Sequence, residues 1–241
     1  MRTIARIDIK NNYVIKGINL EGLRKIGDPI NIVNEYYTAG IDELLLLDSV
    51  ASLYGRNNLF ELIKIITKDI FVPITLGGGI RSLKDIENAL NSGADKVAIN
   101  SMALENPKFL SQAVSNFGES TILVNIEAKK ISKNKWEPYK FCGREKTNLD
   151  VIDWIAEIQK KGCGEILLTS IDKEGTETGF DIELLENVYK IIRKPLILSG
   201  GCGSLEHIQT LKKKFKNISI AIASVLHYKK LSISDIKDTL A

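Results

Sequence analysis

Histidine and cysteine are scarce in this 241-residue chain, with two of the first and three of the second. The cysteines, at 142, 163 and 202, have no metal-ligand spacing, and neither histidine falls at a strand end. No Ser-His-Asp or Cys-His set can be assembled from them. No metal and no cofactor is expected, and His207 and His227 read as surface or helix-cap residues. So few cysteines exclude a disulfide framework and fit a reducing cytoplasm. Charge of one sign is also missing. The net value is +3, too small to argue for nucleic acid, and Lys212-Lys213-Lys214 reads as a solvated helix face. Long apolar runs are absent too. The start, Met1-Arg2-Thr3-Ile4-Ala5-Arg6, lacks an apolar signal core, so a cytoplasmic protein with no membrane contact is expected.

What the chain does have is a repeat. Ile74-Thr75-Leu76-Gly77-Gly78-Gly79-Ile80-Arg81-Ser82 is a strand, a glycine turn and a helix start. Leu196-Ile197-Leu198-Ser199-Gly200-Gly201-Cys202-Gly203-Ser204 repeats the device about 122 residues later. Glycines let the backbone come close, and N–H groups at a helix start point at an anion, so each is a candidate phosphate cradle. A tight strand-to-helix turn is the plain alternative for either one alone. The repeat extends to Asp42-Glu43-Leu44-Leu45 with Gly164-Glu165-Ile166-Leu167, and to Arg6-Ile7-Asp8-Ile9-Lys10 with Asn125-Ile126-Glu127-Ala128-Lys129. Two halves, approximately 1–118 and 119–241, would make one domain over 1–241. Two cradles imply a ligand with a phosphate at each end.

Strand-like runs near 3–9, 43–48, 71–76, 95–100, 120–127, 165–169, 195–199 and 218–222 alternate with helical stretches. The helices are expected near 29–39, 58–68, 83–91, 106–116, 149–161, 181–192, 204–214 and 232–239. Eight βα units point to an α/β fold, a (β/α)8 TIM barrel of two (βα)4 halves, with a doubly wound sheet as the runner-up. A barrel of this kind works at the C-terminal ends of its strands. Those ends carry Asp8, Asp48, Gly78, Asn100 and Ser101, Glu127, Thr169 and Asp172, Gly200 and Gly201, and Ala223 and Ser224.

Asp8 and Glu127 occupy matching places in the two halves. Opposed carboxylates can divide acid and base roles when their surroundings separate their pKa values. The alternative is that one merely pairs with Lys10 or Lys16. Residues 10–28, with Lys16-Gly17, are long enough for a flap. The stretch 130–139 reads as a hairpin turning at Asn134-Lys135. Asp172 to Gly179, with Gly175 and Thr176, suits hydrogen bonding to a ligand. At the strand starts stand Arg2, Glu43, Lys96 and Glu165. Pointing outward they would be ordinary surface charges; pointing inward they would form a ring of two ion pairs, a plug or gate.

These stretches, together with Val14-Ile15-Lys16-Gly17, Gly93-Ala94-Asp95-Lys96-Val97 and Glu165-Ile166-Leu167-Leu168-Thr169-Ser170-Ile171-Asp172, resemble the cyclase-subunit family of imidazole glycerol phosphate synthase over nearly the whole chain. The sister isomerase family shares the two-phosphate barrel but not the wording of 164–172. The resemblance implies a lyase of histidine biosynthesis. A glutaminase subunit would dock on the N-terminal barrel face, and ammonia would pass a gate of Arg2, Glu43, Lys96 and Glu165. At the mouth it would convert a bisphosphorylated aminoimidazole carboxamide nucleotide to imidazole glycerol phosphate and the aminoimidazole carboxamide ribotide. The resemblance assigns Asp8 and Glu127 as the acid–base pair. It assigns Gly78, Asn100, Ser101, Gly200, Gly201, Ala223 and Ser224 to the phosphates, and Lys16 and Thr169 to the substrate. Two departures stand out: Glu127 and Glu174 lie where that family usually has aspartate. They resemble a paralogue branch linked to amidation of surface sugars, such as a nonulosonic acid. A non-catalytic activator of a glutaminase is the third reading.

Overall fold

The computed structural model describes residues 1–51 and 59–240. The expected helix start at 58 and the expected domain end at 241 lie outside the described residues. Eight strands form a closed parallel barrel: β1 (Thr3–Lys10), β4 (Glu43–Asp48), β5 (Ile74–Gly77), β6 (Lys96–Ile99), β7 (Ile122–Ser132), β10 (Glu165–Ser170), β11 (Leu196–Ser199) and β12 (Ile218–Ile222). Each pairs with the next, β7 pairs with β10, and β12 closes onto β1. Between the strands lie α1 (Pro29–Thr38), α2 (Leu59–Ile66), α3 (Leu83–Asn91), α5 (Pro107–Phe117), α6 (Val151–Lys160), α7 (Ile182–Val188) and α8 (Leu205–Lys214), and α10 (Ile233–Leu240) closes the ring. Two short helices, α4 (Ser101–Glu105) and α9 (Ser224–His227), open directly from strand ends.

The strands are apolar on both faces because both are covered. One set of alternate residues, including Ile7, Leu44, Leu46, Val124, Leu168 and Leu198, packs in the layer that contains the helix residues. The other set, Ile4, Leu45, Leu47, Ala98, Leu123, Leu167, Ile197 and Ala221, forms a separate cluster. That second cluster fills the barrel interior, as period-two alternation requires. Burying each leucine or isoleucine of this cluster stabilises the fold by roughly 1.5–3 kcal/mol. Following the same alternation up β1 places Arg2, Ile4, Arg6 and Asp8 on the inner face. The charged residues therefore sit below and above an apolar middle layer.

Several boundaries differ from expectation for local reasons. The strand expected over 71–76 begins at Ile74, because Pro73 cannot donate to a ladder and Phe71 is 79% exposed. The helix expected over 181–192 ends at Val188, ahead of Lys194-Pro195, where the residue before proline disfavours the helical region. Residues 10–28 are not an irregular loop. They form a hairpin of β2 (Tyr13–Ile18) and β3 (Glu21–Gly27), and Asn19 and Leu20 turn it with positive φ at both positions. The second hairpin pairs β7 with β8 (Lys135–Lys140) and turns at 133–134, one residue before the expected place, because Ser132 pairs with Lys135. A two-residue strand, β9 (Glu145–Lys146), extends it. His227 is buried, not a surface or capping residue, and its Nδ1 lies 2.6 Å from the Tyr36 hydroxyl.

Candidate active site at the barrel mouth

The parallel register sets Glu127 beside Thr169 and Asp8 beside Leu47, near the C-terminal ends of the barrel ladders; β7 runs on past Glu127 into the second hairpin, whereas the expected strand ended at 127. Asp8, Lys16, Asp48, Gly78, Asn100, Ser101 and Glu127 line one pocket, together with Arg6, Arg81 and Arg144. On the opposite side Gly200, Gly201, Ala223 and Ser224 line a second cavity with Gly175 and Glu174. A shallow groove lined by Lys16, Gly175 and Ser224 runs beside them and adds Arg24 and Lys230. Two anion-suited ends with carboxylates between them are what a doubly phosphorylated ligand requires.

The glycines in the cradles are sterically required. Gly78 has φ +91°, and a Cβ there would collide with the Asp48 backbone. Gly201 has φ +95°, and a Cβ would land on the Gly179 carbonyl. Past each turn the next helix is capped by serine. Ser82 forms a capping box with Asp85 at the start of α3, and Ser204 accepts from the His207 N–H at the start of α8. Asp48 accepts from the N–H groups of Val50 and Ala51, which shapes the chain beside the first cradle.

Between the cradles lies a buried charge network. Arg6 Nε donates to Asp8 Oδ1 at 3.0 Å, and Arg6 Nη1 donates to Thr169 at 3.0 Å and Ser199 at 3.2 Å. Lys16 pairs with Glu174 and lies 3.6 Å from Asp8. Glu127 accepts from the Gly143 N–H at 2.9 Å, and Asn125 Nδ2 lies 3.5 Å away. Burial pushes both catalytic candidates toward the neutral form, with opposite outcomes. At Asp8 the nearby Arg6 and Lys16 outweigh burial and hold the pKa below its ordinary value. At Glu127 burial wins over Arg6 and the Gly143 N–H, and the pKa rises to about 7. At neutral pH Asp8 is therefore ionised and Glu127 partly protonated.

Not every expected residue lines the pocket. Thr169 is wholly buried and supports Arg6. Asp172 is exposed and accepts from the Lys130 N–H, tying the β10 loop to the second hairpin. Thr176 bonds the Lys173 carbonyl and the Thr178 hydroxyl. Sequence reasoning missed Arg6, whose signal was a charged residue inside an apolar strand, two places before Asp8. It also missed the turn at Phe141–Arg144. There Phe141 donates to Ser101 Oγ at 3.0 Å and Gly143 to Glu127, so the turn covers the first cradle. Phe141, Cys142 and Gly143 all have positive φ, a run that costs of order 1 kcal/mol per non-glycine residue.

At the other end of the barrel Arg2, Glu43, Lys96 and Glu165 do converge. Arg2 bonds Glu43 at 2.8 Å and also bonds Glu165; Lys96 lies 3.1 Å from Glu43 and 2.8 Å from Glu165. The four close a ring beneath the apolar layer. Thr75 donates to Glu43 and Arg2 Nε to Ser219.

Fold and site together define a (β/α)8 barrel with two glycine turns and two buried carboxylates, Asp8 and Glu127, at its mouth. The chain belongs to the family described as histidine biosynthesis protein, whose model matches residues 2–232. It is 51% identical over 206 residues to the imidazole glycerol phosphate synthase subunit HisF of Legionella pneumophila, covering 86% of this chain and 97% of that one. The HisF subunits of Bacillus cereus strain G9842 and Streptococcus sanguinis strain SK36 are 41% and 40% identical, each over 99% of this chain and 95% of theirs. Among the described residues no helix is long and apolar enough to cross a membrane.

Proposed function

We propose that this chain is the cyclase subunit of an imidazole glycerol phosphate synthase, an enzyme of histidine biosynthesis. The observation that carries the reading is the pair of mouth carboxylates in opposite electrostatic settings, flanked by two phosphate-suited cradles. Ammonia and the bisphosphorylated aminoimidazole carboxamide nucleotide are the substrates. The cradle of Gly78, Asn100 and Ser101 takes one phosphate, and that of Gly200, Gly201, Ala223 and Ser224 takes the other. Asp8, ionised, serves as the base, and Glu127, near half protonation at neutral pH, serves as the acid. Lys16 and Thr169 act on the substrate through the network around Asp8. A glutaminase subunit docks on the N-terminal face, where the ring of Arg2, Glu43, Lys96 and Glu165 gates ammonia into the barrel. The reaction takes place in the cytoplasm. The names carried by the relatives favour this reading over sugar amidation or non-catalytic activation.

The test is turnover of the bisphosphorylated nucleotide by this protein with ammonium salt alone. Asp8→Asn and Glu127→Gln are each expected to cost about 10²–10⁴ in kcat. Absence of turnover by folded wild-type protein that still binds the nucleotide would sink the proposal.

A further inference from the structure

Arg6 is a buried cation that the proposed chemistry does not itself use. It stands in the middle of β1 between Ala5 and Ile7, and its side chain is 3% exposed. Burying a guanidinium is costly unless every donor is engaged. Here one nitrogen is held by hydroxyls on β10 and β11, through Thr169 and Ser199, while another is bonded to Asp8. Glu174 Oε2 lies 3.7 Å from the first of these nitrogens. The guanidinium plane is therefore anchored to the far wall, and its Nε has one direction left in which to donate. A lysine could supply the charge but not the fork.

We propose that Arg6 is a positioning residue for the acid–base chemistry of this site, anchored to Thr169 and Ser199 and fixing the orientation and charge of Asp8. The inference rests on the reading of Asp8 and Glu127 as the acid–base pair. The groups facing Asp8 come from every side. Arg6 lies on β1, Lys16 on β2, Glu127 on β7, Glu174 follows β10 and His227 ends α9. Lys16 is already paired with Glu174 and approaches Asp8 only to 3.6 Å. Burial and the nearby Lys16 hold the His227 pKa down, at about 4, so it adds no charge near neutrality. Glu127 contributes repulsion. Arg6 is left as the group that both bonds Asp8 and balances its charge.

Carboxyl ¹³C NMR on the wild-type protein is the first test, with the Asp8 signal assigned by its loss in Asp8→Asn. Asp8 is expected to stay ionised below the ordinary aspartate value of about 3.9. Titration at or above that value overturns the proposal without any variant at Arg6. The second test compares Arg6→Lys with Arg6→Gln in ammonium-driven turnover across pH. Rates are taken as ratios to wild type, so that the ammonia equilibrium cancels. Arg6→Gln leaves Glu174 in place to hold Lys16, and is expected to raise the acid limb by roughly one pH unit. Arg6→Lys should restore the limb while leaving the plateau rate low. Acid limbs that coincide with wild type in both variants would mean that Arg6 only braces the strands. If Asp8→Asn itself retains activity, the acid–base reading fails instead, whatever Arg6 does.

Discussion

Glu127 is buried and bonded by an N–H and an amide, while among the described residues no cation donates directly to it. Its folded pKa of about 7 lies above the ordinary glutamate value of 4.5, with burial as the main cause. The unfolded chain releases this proton first as pH rises, so between those values the folded state holds more protons. Stability contributed at this site is therefore present below about 4.5 and is lost as pH rises through about 7. The gap corresponds to roughly 3 kcal/mol. Glu127→Gln, which can still accept from the Gly143 N–H, is expected to match wild type in acid and exceed it by about that amount above neutrality. Urea unfolding at pH 4 and pH 8.5 checks this, and equal stability at pH 8.5 would contradict it. Apolar runs placed Asp8 and Glu127 at strand ends, and the internal repeat matched them across the two halves. The sequence could not show that Arg6 would serve one of them and burial the other. Those effects come from β10, β11 and the turn at 141–144, which are brought in from distant parts of the chain.

At the level of the element, the β2–β3 hairpin shows what periodicity can miss. Its residues alternate weakly, and β3 is largely exposed, so residues 10–28 looked like a loop. Besides the antiparallel ladder of β2 on β1, two ties to Glu174 hold it down. Asn19 N–H donates to the Glu174 carbonyl at 2.7 Å, and Lys16 reaches the Glu174 carboxylate. The barrel strands and most helices were legible because continuous apolar runs, caps and prolines are local signals. A hairpin anchored by one buried lysine is not. Lys16→Met leaves Glu174 and Asp8 to share Arg6, and breaking a buried pair costs about 3 kcal/mol. Glu174 is also pushed up by burial, but Lys16 and Arg6 outweigh this and hold its pKa below the ordinary value. Its favourable contribution is thus present above the ordinary value and lost as pH falls through the folded one. The penalty of Lys16→Met is expected at neutral pH and should shrink toward acid. Hydrogen exchange across 13–27 should accelerate in the variant at pH 7 while β4 and β5 stay protected. Unchanged exchange in the hairpin would show that its ladder to β1 and the Asn19 bond hold it without Lys16.

On the scale of the whole molecule, the same half-barrel device appears at both ends. Asp8 and Glu127 face each other at the top, and Glu43 and Glu165 at the bottom. At the top the matching carboxylates differ in charge state, since Arg6 bonds Asp8 while burial dominates at Glu127. At the bottom the match is kept, and each glutamate takes one bond from Arg2 and one from Lys96. Glu43 is the more buried of the two, with a 2% exposed side chain, and also accepts from Thr75. Glu43→Gln removes the charge but keeps the shape. It leaves Arg2 and Lys96 with Glu165 alone, so the ring opens on one side. Hydrogen bonds to a charged group contribute about 1.5–3 kcal/mol, and part of this returns because Arg2 is half-exposed and solvated. A loss of about 1–2 kcal/mol is expected in chemical unfolding. The functional consequence depends on where ammonia enters. Ammonium salt in bulk solvent can reach the open mouth directly, whereas on the proposed docking of a glutaminase at the N-terminal face the ammonia it releases must pass the ring. Glu43→Gln is therefore expected to change the ratio of glutamine-driven to ammonium-driven turnover. An unchanged ratio, with the stability loss present, would leave the ring a structural plug and place the ammonia entrance elsewhere.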